Sequence, residues 1–400
     1  MKKKIFGICI VTGVISLFSF GIMDKTVMAA TKGPIKIGFM APYVGVFTQL
    51  GTDMDKGFRL CLEEIEYRMG GREVKFITAD TEGKPPLGPT KVKQLVEKDR
   101  VHILAGIVHS GLAYSIRDYV HEHKIPLIIT NAGGQKLTSE LKSPYIFRVS
   151  FANGQQDLAG GWYAYHTLGH RKMMTLAMDT SSGYDKTNGF KKYFTGSGGI
   201  IVEEMYHAIG TPDFSPLLGK ILKRAKQIDG LWVFSSGSDT VRFIKQYDEY
   251  GLKKMVPLFV IGDTVDDTVL PAMGESSLGI KNYSHYSPTL DTPENKRFVA
   301  AYRKKYGETP GCFSEQGYVG AQVLAKAIAK VKGNIEDTDS FLKALGAVEL
   351  TAPRGPFSFD ENNNVIENVY IRIVEKVEGK PLNIVVDSIP HVGQFWSPPK

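Results

Sequence analysis

The side chains best placed for chemistry stand in short loops that follow apolar runs. Val108-His109-Ser110-Gly111 follows one such run and opens a helix. A serine hydroxyl and free backbone N–H groups at a helix start bind an anion well; capping of that helix by Ser110 is the alternative. Asn131-Ala132-Gly133-Gly134 follows a second run, which ends at Thr130. Its small residues let backbone donors approach a ligand, and they also suit a plain turn. Farther along, Tyr184, Ser235-Ser236 and Asp263 hold matching loop positions. Tyr184 either stacks on a ligand or packs on its helix. Asp263 either meets an ammonium or hydroxyl group or caps the next helix.

Motifs for covalent chemistry are missing. The chain has no G-x-x-x-x-G-K-[ST] phosphate loop, no H-E-x-x-H zinc helix and no G-x-S-x-G nucleophile elbow. Gly196-Ser197-Gly198-Gly199 precedes a strand instead of following one, which makes it a turn and not a dinucleotide loop. His121 and His123 lie two apart on a predicted helix, on different faces, as a solvated pair would. No catalytic residue, metal or cofactor is expected.

The elements that must hold these loops alternate strongly. Ile35–Met40 reads as a strand, and Gly51–Met69 as a helix stopped by Gly70-Gly71. Strands at Glu73–Ala79, Val101–Ile107 and Ile125–Thr130 alternate with helices at Leu87–Lys98 and Leu112–His123. Pro126-Leu127-Ile128-Ile129-Thr130 is apolar on both faces, as a strand inside a parallel sheet must be. The same grammar restarts after Ser150, with strands at Met173–Met178, Ile200–Tyr206, Gly230–Phe234, Val256–Ile261 and Leu278–Tyr283. From about Pro293 the chain turns helical, and a small β segment from Phe357 through Ile366–Val374 closes it. The fold class is therefore α/β, with two doubly wound, Rossmann-like lobes. Four hundred residues suffice for two such cores.

The first 30 residues read as an export signal. Lys2, Lys3 and Lys4 precede an apolar stretch from Ile5 to Ile22, and Val27-Met28-Ala29-Ala30 offers a cleavage site. A membrane anchor is the alternative, weakened by Gly7, Gly13 and Gly21. Cys9 lies inside the apolar stretch and not at the cleavage point, which argues against a lipid anchor. Loss of residues 1–29 removes four lysines and one aspartate, so the formal charge falls from +7 to +4, too mild a charge for nucleic-acid binding. Cys61 and Cys312 remain; Cys61 falls within a helical apolar series, so a buried free thiol is expected over a disulfide.

Further motifs carry a family resemblance. Pro34-Ile35-Lys36-Ile37-Gly38, Gly45 and Gly51, Gly57-Phe58, Gly70-Gly71-Arg72 and Asp80 before Pro85-Pro86 occur in order. So do Leu95-Val96, then Asn295, Phe298, Tyr302, Tyr306-Gly307 and Pro310, and finally Arg354-Gly355-Pro356-Phe357 with Asp360. By these, residues 34–385 resemble the leucine/isoleucine/valine-binding class of periplasmic solute-binding proteins, the type I fold that serves ABC importers. The resemblance implies two lobes joined by three crossovers, near 148–152, 284–288 and 352–357. The lobes then comprise 31–150 with 286–352, and 151–285 with 353–400. It also implies that Ser110 binds a ligand carboxylate, together with Ala132, Thr130 and the backbone at Gly133 and Gly134. Leu50 falls where an aromatic residue often lines the pocket, and Tyr184 matches a tyrosine of the second lobe. Ser236 stands where leucine binders usually carry an aromatic residue. Asp263 replaces the glutamate that recognises an ammonium, which puts an α-amino ligand in doubt. The strings around His109 and Asn131 are similar to a branch that binds aromatic carboxylates. The expected ligand is a small carboxylate, either an aromatic acid or a branched-chain amino acid. The expected partner is an ABC permease, and the expected state a monomer in the periplasm. An amide or amino-acid sensor of the same fold and a two-lobed hydrolase are the competing functions. The export signal opposes an intracellular sensor, and the missing motifs oppose the hydrolase.

Overall fold

The computed structural model describes Met1 and residues 33–398. The export signal lies outside the described residues. Among them, no helix is long and apolar enough to cross a membrane.

The first sheet is built from β1 (Ile35–Ala41), β2 (Arg68–Met69), β3 (Arg72–Asp80), β4 (Ile103–Gly106), β5 (Leu127–Ile129) and β6 (Ile146–Arg148). The second takes β7 (Lys172–Met178), β8 (Ile200–His207), β9 (Gly230–Phe234), β10 (Leu258–Ile261) and β11 (Lys281–Ser284). Its last members are β12 (Leu350–Ala352), β13 (Gly355–Phe359), β14 (Val365–Val377) and β15 (Lys380–Val392). The helices are α1 (Thr48–Glu64), α2 (Gly88–Lys93), α3 (Ser110–Glu122), α4 (Gln155–His166), α5 (Ser181–Gly196) and α6 (Ser215–Arg224). They continue as α7 (Ser238–Glu249), α8 (Leu270–Met273), α9 (Pro293–Tyr306), α10 (Cys312–Lys330) and α11 (Thr338–Gly346).

The first sheet runs β2-β3-β1-β4-β5-β6, parallel except for the β2–β3 pair. In the second, β8-β7-β9-β10-β11 is parallel, and β14, β13, β12 and β15 extend it antiparallel. Each parallel block has its first strand inside its second, so strand order reverses beside β1 and beside β7. In such sheets ligands bind outside the carboxyl ends of the strands at that reversal. The central strands are buried on both faces, which explains their continuous apolar runs.

The chain passes between the two sheets three times, between Arg148 and Gln155, between Ser284 and Pro293, and between Gly346 and Leu350. Leu350–Ala352 pairs with β13 just after the third passage, next to the 352–357 that the resemblance implies. Helix α10 packs along α1. A Cβ on Gly57 would stand 1.8 Å from the Ser314 carbonyl oxygen, and one on Gly317 would stand 2.0 Å from that of Met54, so this helix pair depends on glycine at both contacts.

Two local readings change. Gly70-Gly71 is not a helix stop: α1 ends at Glu64, Glu66 and Tyr67 turn to positive φ, and the two glycines make the turn between β2 and β3. The closing β segment is larger than expected, since the β14–β15 hairpin runs on to Val392. Pro381, Pro390 and many exposed positions disguise β15, as they do in an edge strand. Cys61 and Cys312 are both buried and unpaired.

A polar network joins the first two passages to the turn between β12 and β13. The buried Arg354 guanidinium bonds Glu315 (2.8 Å), Glu367 (3.2 Å) and the Val149 carbonyl (2.9 Å). Gln156 Nε2 lies 2.9 Å from Glu367 Oε1 and 3.0 Å from His285 Nδ1. Burial, with Glu315 nearby, pushes the Glu367 carboxyl up to about 8.

Candidate functional site

A cleft of about 460 Å³, open solvent at its mouth included, lies between the two sheets. Almost every wall residue leaves the carboxyl end of a parallel strand. The first sheet supplies Phe47 and Leu50 after β1, Val108 to Ser110 after β4, and Asn131 and Gly133 after β5. Phe151 and Asn153 follow β6. From the second sheet come Met178, Thr180, Ser182 and Lys186 after β7, Phe234 and Ser236 after β9, and Asp263 after β10. Phe313 reaches in from α10.

On the first lobe the donors gather at the start of α3. The helix begins at Ser110, and His109 is its cap, with Nδ1 accepting the Gly111 N–H at 3.0 Å. Capping by Ser110 is thereby replaced, because the helix starts earlier than the apolar pattern suggests. Burial lowers the His109 pKa, so the ring is neutral, accepts at Nδ1 and carries its proton on Nε2. The Ser110 hydroxyl is free of capping duty. Its oxygen accepts from Asn153 Nδ2 (3.3 Å) and from the Ser182 hydroxyl of the other lobe (3.1 Å), which leaves its own proton to donate. Among the described residues, the backbone N–H groups of Ser110 and Gly133 make no hydrogen bond. Gly133 must stay small, since a Cβ there would stand 2.3 Å from Asn153 Oδ1.

Leu50, His109, Ser110, Asn131, Gly133, Ser236 and Asp263 line the cleft. Thr130, Ala132 and Tyr184 do not. The chain after β5 alternates in direction, so Asn131 and Gly133 face the cleft while their neighbours face the core. Thr130 Oγ1 contacts the Met54 sulfur at 3.3 Å, and the Ala132 N–H bonds the Ile107 carbonyl. Tyr184 lies on the outer face of α5. Its ring packs on Tyr206 and its hydroxyl donates to Asp179 at 2.7 Å. Ser182 and Lys186, four apart, share the inner face, and Tyr184 between them points away.

Lys186 is the main residue that sequence reasoning missed. Its side chain is 2% exposed, and its ammonium lies 3.5 Å from Asp263 Oδ2. The same ammonium sits 4.3 Å from the Phe151 ring centre and 5.0 Å from that of Phe234. The available signal was a charge inside the small and apolar stripe Gly183, Thr187, Phe190 and Phe194. Asp157 lies close behind. Burial pushes its carboxyl up to about 6, and it accepts from the Tyr283 hydroxyl (2.6 Å) and the Gly154 N–H (3.1 Å). Such a cleft can hold a small anion by fixed donors, press a flat apolar body between phenylalanines, and read a polar group at Lys186 and Asp263.

Residues 34–379 match the family of periplasmic binding proteins. The chain belongs to that family. This periplasmic binding protein is thus a solute-binding protein and not an enzyme. It is 30% identical over 370 residues to the Leu/Ile/Val-binding protein homolog 6 of Brucella melitensis, covering 91% of this chain and 93% of that one. An ABC transporter substrate-binding protein from Sphaerobacter thermophilus is 39% identical, with a TM-score of 0.86 over 90% of this chain and 99% of its own. A solute-binding protein of an ABC transporter from Rhodopseudomonas palustris, solved with 3,4-dihydroxybenzoic acid, is 32% identical. Its TM-score is 0.86, over 91% of this chain and 99% of its own.

Proposed function

We propose that this periplasmic binding protein captures a small aromatic carboxylate in its interlobe cleft and hands it to the permease of an ABC importer. One observation carries the reading. Phe47, Phe151, Phe234 and Phe313, from four separate segments, wall the same cleft that holds the free Ser110 and Gly133 N–H groups. Fixed N–H donors and the Ser110 hydroxyl suit a carboxylate, and the phenylalanines suit a ring. The dihydroxybenzoic acid held by the Rhodopseudomonas relative supports the same class. Export by a leader cleaved near Ala29 or Ala30, and a monomeric working state in the periplasm, belong to the same proposal.

A branched-chain amino acid is the second reading. It is favoured by the carboxylate of Asp263 in the cleft and by the name of the Brucella relative. A ligand that binds only the folded state adds about 2.7 kcal/mol of stability at a hundred times its Kd. A melting screen of benzoate-type acids beside leucine, isoleucine and valine therefore decides between them. The expected outcome is a rise in Tm with an aromatic acid. A rise with leucine or valine alone would give the cleft to amino acids.

A further inference from the structure

Lys186 and Asp263 form a pair with an unusual property for a binding cleft: both charges are nearly buried and neither is saturated. An ammonium has three N–H donors. Lys186 makes one ionic contact, to Asp263 at 3.5 Å, and no hydrogen bond to any described residue, while two phenylalanine rings cover it. Rings attract the cation but accept no conventional hydrogen bond. Of the other carboxylates near Lys186, Asp157 is already held by Tyr283 and Gly154, and Asp185 by Asn153 and the Gln135 backbone. The open acceptor is therefore Asp263, which lines the cleft beside Lys186.

We infer that Lys186 and Asp263 together read a hydroxyl group on the ring of the ligand, so that the solute is a hydroxylated aromatic carboxylate. The inference rests on the aromatic-carboxylate reading above and narrows it. A hydroxyl is both donor and acceptor. It gives its proton to Asp263 and accepts from Lys186, completing both groups at once. A ligand ammonium has donors only. It would suit Asp263 but bring a second positive charge against Lys186, in a site where water screens little. A bare C–H would leave both charged groups desolvated with only each other to contact, at 3.5 Å. Lys186 thus takes the place that an amino acid's own ammonium would need. The carboxylate end is read by the first lobe and the hydroxyl by the second, so only a ligand with both groups engages both lobes.

Calorimetry on the whole exported protein tests this with benzoate, 3- and 4-hydroxybenzoate, 4-methoxybenzoate and 4-(aminomethyl)benzoate. One of the hydroxybenzoates is expected to bind at least about tenfold more tightly than benzoate, the scale of one hydrogen bond to a charged group. The methoxy analogue, which cannot donate, and the aminomethyl analogue are expected to fall below it by a similar factor. In Lys186→Met and in Asp263→Asn, with folding checked by circular dichroism, the preference for hydroxyl over hydrogen should collapse. Lys186→Met should also admit the aminomethyl compound. Equal affinity for benzoate and both hydroxybenzoates in the unmodified protein overturns the inference without any variant. A hydroxyl preference that survives both substitutions overturns it too. If no benzoate binds, the aromatic-carboxylate reading falls and this one with it. If benzoates bind without regard to the hydroxyl, only this one falls.

Discussion

Ser110 and His109 are neighbours with separable jobs. His109 holds the first turn of α3, and Ser110 turns its hydroxyl to Asn153, Ser182 and the cleft. Ser110→Ala is expected to weaken binding of the aromatic acid by roughly 1.5–3 kcal/mol, the range for a hydrogen bond to a charged group. His109→Ala is expected to cost about 1 kcal/mol of stability, the usual scale of a lost helix cap. Calorimetry and melting on the two variants separate the roles; a Ser110 variant that melts early yet binds normally would return the cap to Ser110. The cysteines are simpler. Burial pushes both thiols up, so neither is expected to react with a thiol reagent until the protein is denatured. Rapid labelling in the native state would contradict the packing around α1 and α10.

At the scale of elements, the sequence is legible where local rules suffice. Strand–helix alternation and the loops at strand ends emerge from apolar periodicity, and with them Ser110, Asn131, Ser236 and Asp263. The failures share a physical cause. Tyr184 and Lys186 are both on α5, and only the helix phase, set by the Thr180 cap and the packing of α4 on α5, decides which of them faces inward. Thr130 and Ala132 lose to Asn131 and Gly133 by a similar phase, that of an extended chain. Phe151 and Phe313 come from a crossover and a distant helix, and no local pattern joins them to the cleft. The network at the crossovers was likewise invisible, since Glu315, Arg354 and Glu367 meet only in three dimensions. It makes a pH prediction. The folded chain keeps the Glu367 proton up to about 8, whereas an ordinary glutamate releases it near 4.5. Between those values the folded state holds more protons than the unfolded one, so this contribution is full below 4.5 and is lost as pH rises through 8. Melting across that range should show Glu367→Gln losing less stability than the parent as pH climbs. Parallel curves would remove Glu367 from the account.

For the molecule as a whole, the lobes touch across the cleft. The Ser182 hydroxyl meets Ser110, and the Ser238 N–H meets the Val46 carbonyl at 3.3 Å. Ligand bridging both lobes should favour this arrangement over open ones. Small-angle scattering is therefore expected to give a smaller radius of gyration at saturating aromatic acid. An unchanged radius would count against hinge closure.

The triple passage of the chain between its sheets also governs the order in which the protein can be made. The first sheet is complete by Arg148, but the face of α1 stays bare until α10, ending at Lys330, has been supplied. The second sheet waits longer still, because β11 gains its antiparallel neighbour only with Val365–Val377. A chain emerging amino end first, from a ribosome or a translocation channel, thus has no finished lobe until most of it is out. Contacts so distant in sequence form slowly. Truncation at residue 292, just ahead of α9, should accordingly yield no stable first lobe, despite leaving all six of its strands intact. A fragment that melts cooperatively would show that α9–α11 are dispensable. For the export proposed above, a polypeptide that cannot lock its tertiary structure early stays thin enough to be threaded.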